Sequence, residues 1–243
     1  MLSVTAEDRY PPVDTLITLA KNRRLHRPAA LAPLLAMTLT AGACTATMPA
    51  VTMRVVDEAT GTPMPGAVAM FWGTAREGTM TGHGGRNALL FAADAIADAS
   101  GQLRFPAQTF GTQPFFLNTN YENPEVLLLK PGYAPLFLHN QRSIIPTLAD
   151  ASQWEQDGQI VKMKKATGEE IRQQAYLIRL DTDQMLGFAG LCTWKRVPNA
   201  LVMADRMFPD PGSTLRTLFM NDALFVQQGC GSPTAFFEPY SRR

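Results

Sequence analysis

VTMRVVDEATGTPMPGAVAMFW, residues Val51 to Trp72, is the stretch that decides the fold. Val51, Met53 and Val55 alternate with Thr52 and Arg54, the period of a half-buried strand. Asp57 to Gly66 holds two glycines and two prolines, which mark a turn. Ala67 to Trp72 is apolar again and reads as a second strand. The same signals recur downstream. Asp98-Ala99-Ser100-Gly101 is a turn followed by the alternating Gln102-Leu103-Arg104-Phe105. Glu125 to Lys130 (EVLLLK) is a buried strand stopped by Pro131-Gly132. Gln159 to Lys165 (QIVKMKK) sets Val161 and Met163 on one face, with its lysines as the solvated edge of a last strand. Short strands separated by turns, with little helix between them, predict a mainly β chain folded as an antiparallel sandwich. Thr74 to Ala97 is longer than a hairpin needs, and Gly78 to Gly85 within it holds four glycines, so that part is expected as an exposed loop.

The placing of turn residues carries a resemblance. Val55, Asp57, Thr60, Gly61, Pro63, Met64 (where Ile is usual), Gly66, Ala67 and Val68 resemble the opening of the carboxypeptidase regulatory-like, transthyretin-like domain. Asp98, Gly101, Leu103 and Phe105 match that family's next strand, and Leu127, Lys130, Gly132 and Tyr133 match its L-x-x-K-x-G-Y segment loosely. The likeness covers about residues 51–165. It implies a seven-stranded immunoglobulin-like sandwich with no catalytic residues of its own.

After Lys165 the apolar period becomes helical. Thr167-Gly168-Glu169-Glu170 has the capping-box spacing and opens a helix expected to reach about Leu180. Pro198 suits the first turn of a helix from Val197 to about Met207. Ser213-Thr214-Leu215-Arg216 opens another, with Leu215, Leu218, Phe219 and Val226 at helical spacing and Gly229 as its stop. Residues 166–243 are therefore expected as a helical appendage, divided from the sandwich near Thr167. Cys192 precedes the second of these helices and Cys230 follows the last. A disulfide between them would close a loop of about 39 residues and stabilise by about 4 kcal/mol on a chain-entropy account that is disputed. Zinc is the rival use, but two cysteines without a nearby histidine cannot fill a tetrahedral site. The segments around Cys192-x-Trp194-x-x-x-Pro198 and Gly229-Cys230-Gly231-Ser232-Pro233 resemble segments of bacterial lipoproteins that carry the same β domain, a likeness that implies no activity.

The third cysteine needs its own explanation. Lys21 to Arg27 (KNRRLHR) is cationic, and the sixteen residues Pro28 to Ala43 carry no charge. A basic segment, a short apolar segment and small residues form a secretory signal; sixteen residues with two prolines are too few for a span. Ala41-Gly42-Ala43-Cys44 resembles the bacterial lipobox, with Ala41 where Leu is commoner. That resemblance implies lipidation of Cys44, cleavage before it and, with Thr45 next, an outer-membrane address. Residues 1–43 are then a leader, whose first twenty residues do not fit a signal and read as an upstream start-site extension. Residues 44–50 are expected to be a lipid-anchored linker. From Cys44 on the chain carries 17 basic against 18 acidic side chains. Such a body offers no basic footprint for nucleic acid and little field to steer a charged partner.

Catalytic sets are missing from the sequence. His83 and His139 are the two histidines beyond the leader, 56 positions apart with no paired spacing, against the two histidines and two tyrosines that hold iron in intradiol dioxygenases. The chain ends Pro239-Tyr240-Ser241-Arg242-Arg243 rather than the YRGS of hydroxyisourate hydrolases. No G-x-S-x-G, H-E-x-x-H or phosphate loop occurs. The expectation is a non-catalytic cell-envelope lipoprotein without a cofactor or bound metal, held to the membrane by its lipid, with an envelope protein or a glycan as partner. Two alternatives remain: a glycan-binding module using Trp72, Tyr121 and Tyr133 as loop aromatics, and a metal-dependent enzyme using His83 and His139.

Overall fold

The computed structural model describes residues 45–77, 86–111, 119–140, 146–171, 174, 192–208 and 213–241. Cys44, His83, the glycine-rich loop and the expected helix beyond Ile171 lie outside the described residues.

Among the described residues ten strands are arranged in two facing layers. In the first, β2 (Val51–Asp57) is central, flanked by β5 (Gln102–Phe105) and β10 (Ile160–Met163). A two-stranded ribbon of β1 (Thr45–Met48) and β6 (Gln108–Gly111) adjoins it. In the second, β4 (Arg86–Ile96), β3 (Val68–Glu77), β8 (Glu125–Leu129) and β9 (Leu136–His139) follow in that order, and β7 (Thr119–Tyr121) also pairs with β3. The expected antiparallel sandwich is present, with one exception to its pairing: β10 runs parallel to β2.

Alternation aims Met53, Val55, Leu103, Phe105, Val161 and Met163 from the first layer at Ala69, Phe71, Phe91, Val126 and Leu128 of the second. Phe71 sits at the centre, 5.0 Å from Phe91 and 5.3 Å from both Phe105 and Trp154, ring centre to ring centre. Two glycines are required by close approach. A Cβ on Gly101, which has φ of +76°, would lie 2.5 Å from the Val55 carbonyl oxygen. One on Gly73 would lie 2.4 Å from the Phe91 ring, at the point where the β3–β4 register shifts.

The remaining side chains of β3 and β8 explain why these strands read as continuous apolar runs. Val68, Met70, Trp72, Leu127 and Leu129 face away from the first core and are covered by helices. These are α2 (Pro198–Met207), α3 (Thr214–Met220), α4 (Asp222–Gln227) and α5 (Pro233–Ser241), with a 3-10 turn at Thr193–Arg196; a short α1 (Leu148–Ala151) lies between β9 and β10. Trp194, Val197, Leu201, Leu215, Leu218 and Phe237 complete this second core.

Several expectations change here. The segment after Cys44 is no linker: Thr45 already pairs with Gly111, and Met48 is fully buried. The stretch from Thr74 is the outer half of a long hairpin, since β3 continues to Glu77 and β4 starts at Arg86. The helices are no detached appendage, because they share a core with the sheet; the division near Thr167 falls between layers, not between bodies. The last helix breaks at Asn221, leaving Phe219 and Val226 37% and 51% exposed rather than buried with Leu215 and Leu218. Two details hold. Thr167 and Glu170 form the capping box reciprocally, and Pro198 occupies the first turn of α2.

Candidate functional site

Asp57 closes β2 and organises the turn after it. Its Oδ1 accepts from the backbone N–H groups of Ala59 and Thr60, both at 2.9 Å, and from the Thr60 hydroxyl at 3.1 Å. This is the local bonding by which Asp nucleates turns. Its Oδ2 accepts from the Tyr133 hydroxyl at 2.8 Å, and Lys165 Nζ stands 3.7 Å away. The Tyr133 hydrogen bond, followed by those of Thr60 and Ala59, holds the carboxyl at about 2, and the same bond pushes the Tyr133 phenol up. Lys130 donates to the Pro65 carbonyl at 2.6 Å. Asp57, Thr60, Lys130 and Tyr133 of the motif thus spend polar atoms on the turns around Asp57. A carboxylate already bonded on both oxygens and held ionised is unsuited to proton transfer near neutral pH.

The three aromatics proposed for sugar stacking do not form a platform. Trp72 belongs to strand β3 and is 4% exposed, packed in the second core under the helices. Tyr121 is half-buried in β7 opposite Ala75, and burial pushes its phenol up. Tyr133 is half-buried and bound to Asp57. Trp72 ends the apolar run that reads as a strand, and its cover comes from helices far along the chain.

His139 ends β9 with its Nδ1 3.0 Å from Glu125 Oε1 and its ring parallel to that of Phe137. Among the described residues no three His, Cys, Asp or Glu side chains gather as a metal set. Cys192 and Cys230 are joined, with Cα atoms 5.2 Å apart. The bond fastens the 3-10 turn to the chain leaving α4, beside Trp194, whose ring lies 5.0 Å from that of Phe236 with Lys195 Nζ 5.3 Å from its centre.

A second carboxylate escaped the sequence reading. Asp94, on β4, reaches across to the start of α2. It accepts from the backbone N–H of Asn199 at 2.5 Å and of Ala200 at 3.1 Å, and from Asn199 Nδ2 at 3.1 Å. Val197, the capping residue, has no side chain that can do this. Burial raises the carboxyl despite these bonds. No spacing rule finds a cap supplied from 105 residues away.

Beside this cap is a small cleft of about 80 Å³ between α2, α5 and the sheet edge, lined by Val68, Ile96, Val202, Met203 and Arg206 among others. A water occupies about 30 Å³ of liquid, and ligand pockets run to several hundred Å³, so the cleft suits a few waters rather than a substrate. Arg206 Nη2 already donates to the Tyr240 carbonyl at 3.3 Å.

No family model matches the chain, and no curated protein matches it. Among solved structures it is similar to 3-chlorocatechol 1,2-dioxygenase of Rhodococcus opacus 1CP, with 13% identity over 52% of this chain and 62% of that one, and a TM-score of 0.30. A streptococcal ancillary pilin gives 16% identity, 49% and 29% coverage and a TM-score of 0.24. The C-terminal domain of the shaft pilin SpaA from Lactobacillus rhamnosus GG gives 12% identity, 51% and 99% coverage and a TM-score of 0.22. The chain spans less than two thirds of the first two proteins. No described helix is long and apolar enough to cross a membrane.

Proposed function

We propose that this chain is a non-catalytic cell-envelope lipoprotein, lipidated on Cys44 and carrying a carboxypeptidase regulatory-like sandwich that binds or positions another envelope component. The observation that carries the reading is a coincidence of positions. The lipobox-like Ala41-Gly42-Ala43-Cys44 ends one residue before the first strand, so cleavage ahead of Cys44 would release the folded body with its lipid attached and nothing of it lost. Two further features support it. A joined Cys192–Cys230 pair suits an oxidising compartment such as the periplasm. The polar residues of the family motif are occupied in holding turns, which favours a binding or structural module over an enzyme. An outer-membrane address follows from Thr45 after the modified cysteine. Burial of Trp72 counts against the aromatic row on which a glycan-binding module was weighed.

Cys44→Ser tests the anchor. The variant is expected to leave the membrane fraction or to remain unprocessed, while the parent chain gains the mass of its acyl groups. Identical mass and fractionation of the two would refute the lipoprotein reading.

A further inference from the structure

The first described strand begins at Thr45, the residue after Cys44. Thr45 is opposite Gly111 in the β1–β6 ribbon, Ala46 packs against the first core, and Met48 is fully buried. One trans peptide separates Cys44 from Thr45, a Cα spacing of about 3.8 Å. A ten-residue Gly/Ser linker would instead allow about 17 Å of root-mean-square reach.

The ribbon also has a defined direction. The Phe105 ring lies 5.3 Å from Phe71, and Phe110, further along the same chain, lies 5.6 Å from Phe91, which pairs with Gly73. Moving from Phe105 to Phe110 therefore parallels moving along β3 from Phe71 toward Glu77. Thr45, opposite Gly111, leaves the sandwich at that end. The turns at 57–66, 98–101 and 130–133 close the other end, because β2 finishes at Asp57, β4 at Ile96 and β8 at Leu129. Five residues of strand from Gly73 to Val68 put them about 17 Å further away.

Resting on the lipidation of Cys44, we infer that the anchor holds the sandwich end-on to the bilayer, with the ribbon end against the phospholipid headgroups and the Asp57–Tyr133 end turned away from the membrane. Thr45, Thr47, Thr109 and Gly111 are exposed on this ribbon. The three threonines are polar and uncharged and suit a headgroup layer rather than the hydrocarbon, while β3 runs on past Gly73 to Glu77 and β4 starts at Arg86 at the same end. The end turned away is then the one available to a partner in the aqueous compartment.

The test uses the mature lipidated protein in phospholipid vesicles that contain headgroup spin-labelled lipid. One environment-insensitive fluorophore is attached at Thr109→Cys or at Ala99→Cys, with Cys192–Cys230 left oxidised; Thr47→Cys replaces Thr109→Cys if that variant does not fold. Several-fold stronger quenching at position 109 than at 99 is expected. Insertion of ten Gly/Ser residues between Cys44 and Thr45 should bring the two values together. Equal quenching at both sites, in protein whose mass shows the acyl groups, overturns the orientation and leaves the anchor standing. Absence of the acyl mass overturns the anchor, and the orientation with it.

Discussion

The bond between Tyr133 and Asp57 joins two sequence motifs 76 residues apart. Asp57 was legible as a turn former from Asp57-x-x-Thr60-Gly61. Tyr133 matches the L-x-x-K-x-G-Y segment, but a sequence shows that a phenol exists and not which carboxylate it faces. Tyr133→Phe keeps the ring and removes only the hydroxyl, which makes the largest contribution to holding Asp57 low. The folded value of about 2 lies below the ordinary 3.8, so the stabilisation from Asp57 is fully present above the ordinary value and fades as pH falls toward 2. Tyr133→Phe should therefore lower the Tm by a few degrees at pH 6–7, and its deficit against the parent should shrink as the pH approaches 2. Melting curves by circular dichroism across that range measure the difference directly. A deficit that stays constant down to pH 2 would mean that the hydroxyl acts on something other than the ionised carboxylate.

Strands announced themselves through alternation, as in Val51–Asp57 and Ile160–Met163, whose inward and outward faces are as read. Elements buried on both faces were harder. In β3 the run Val68-Ala69-Met70-Phe71-Trp72 has no period, because each side meets its own core, so its extent and its neighbours stayed hidden. The short β1 was missed for a different reason: Thr-Ala-Thr-Met is a strand only because β6 pairs with it. The docking of α2 belongs to the same class of tertiary effects, since its first N–H groups are capped from β4 by Asp94. Losing such a cap costs about 1–2 kcal/mol, so Asp94→Ala should destabilise by that amount. Asp94→Asn keeps an acceptor and removes a charge that burial disfavours, so it should sit close to the parent at neutral pH. The sign agrees: a carboxyl raised in the folded state contributes most when protonated, and its contribution declines as pH rises through that raised value. Denaturant titration of both variants at pH 7 decides it, and equal losses for Ala and Asn would show that the charge itself holds the helix.

Across the molecule the question is whether the helices and the sandwich unfold as one. The change from strand period to helical period after Lys165 suggested two bodies, but periodicity reports how a segment folds and not what it packs against. Strands β3 and β8 supply alternate side chains to both cores: Phe71, Val126 and Leu128 to the first, Met70, Trp72, Leu127 and Leu129 to the second. Loss of the helical layer would strip the cover from one face of the sheet that the first core also needs. Thermal unfolding of the oxidised protein should accordingly give coincident transitions by far-ultraviolet dichroism and by tryptophan fluorescence. The tryptophans report on both places, since Trp154 lies in the first core and Trp72 and Trp194 in the second. Cys230→Ser tests the coupling. Removing a cross-link across 38 positions costs about 4 kcal/mol on the chain-entropy account, which for a chain of this size lowers the Tm by about 10 °C. The drop should appear in both signals together. Loss of Trp72 and Trp194 burial at a lower temperature, with Trp154 emission and β dichroism unchanged, would instead establish two independently folding bodies with their division near Thr167.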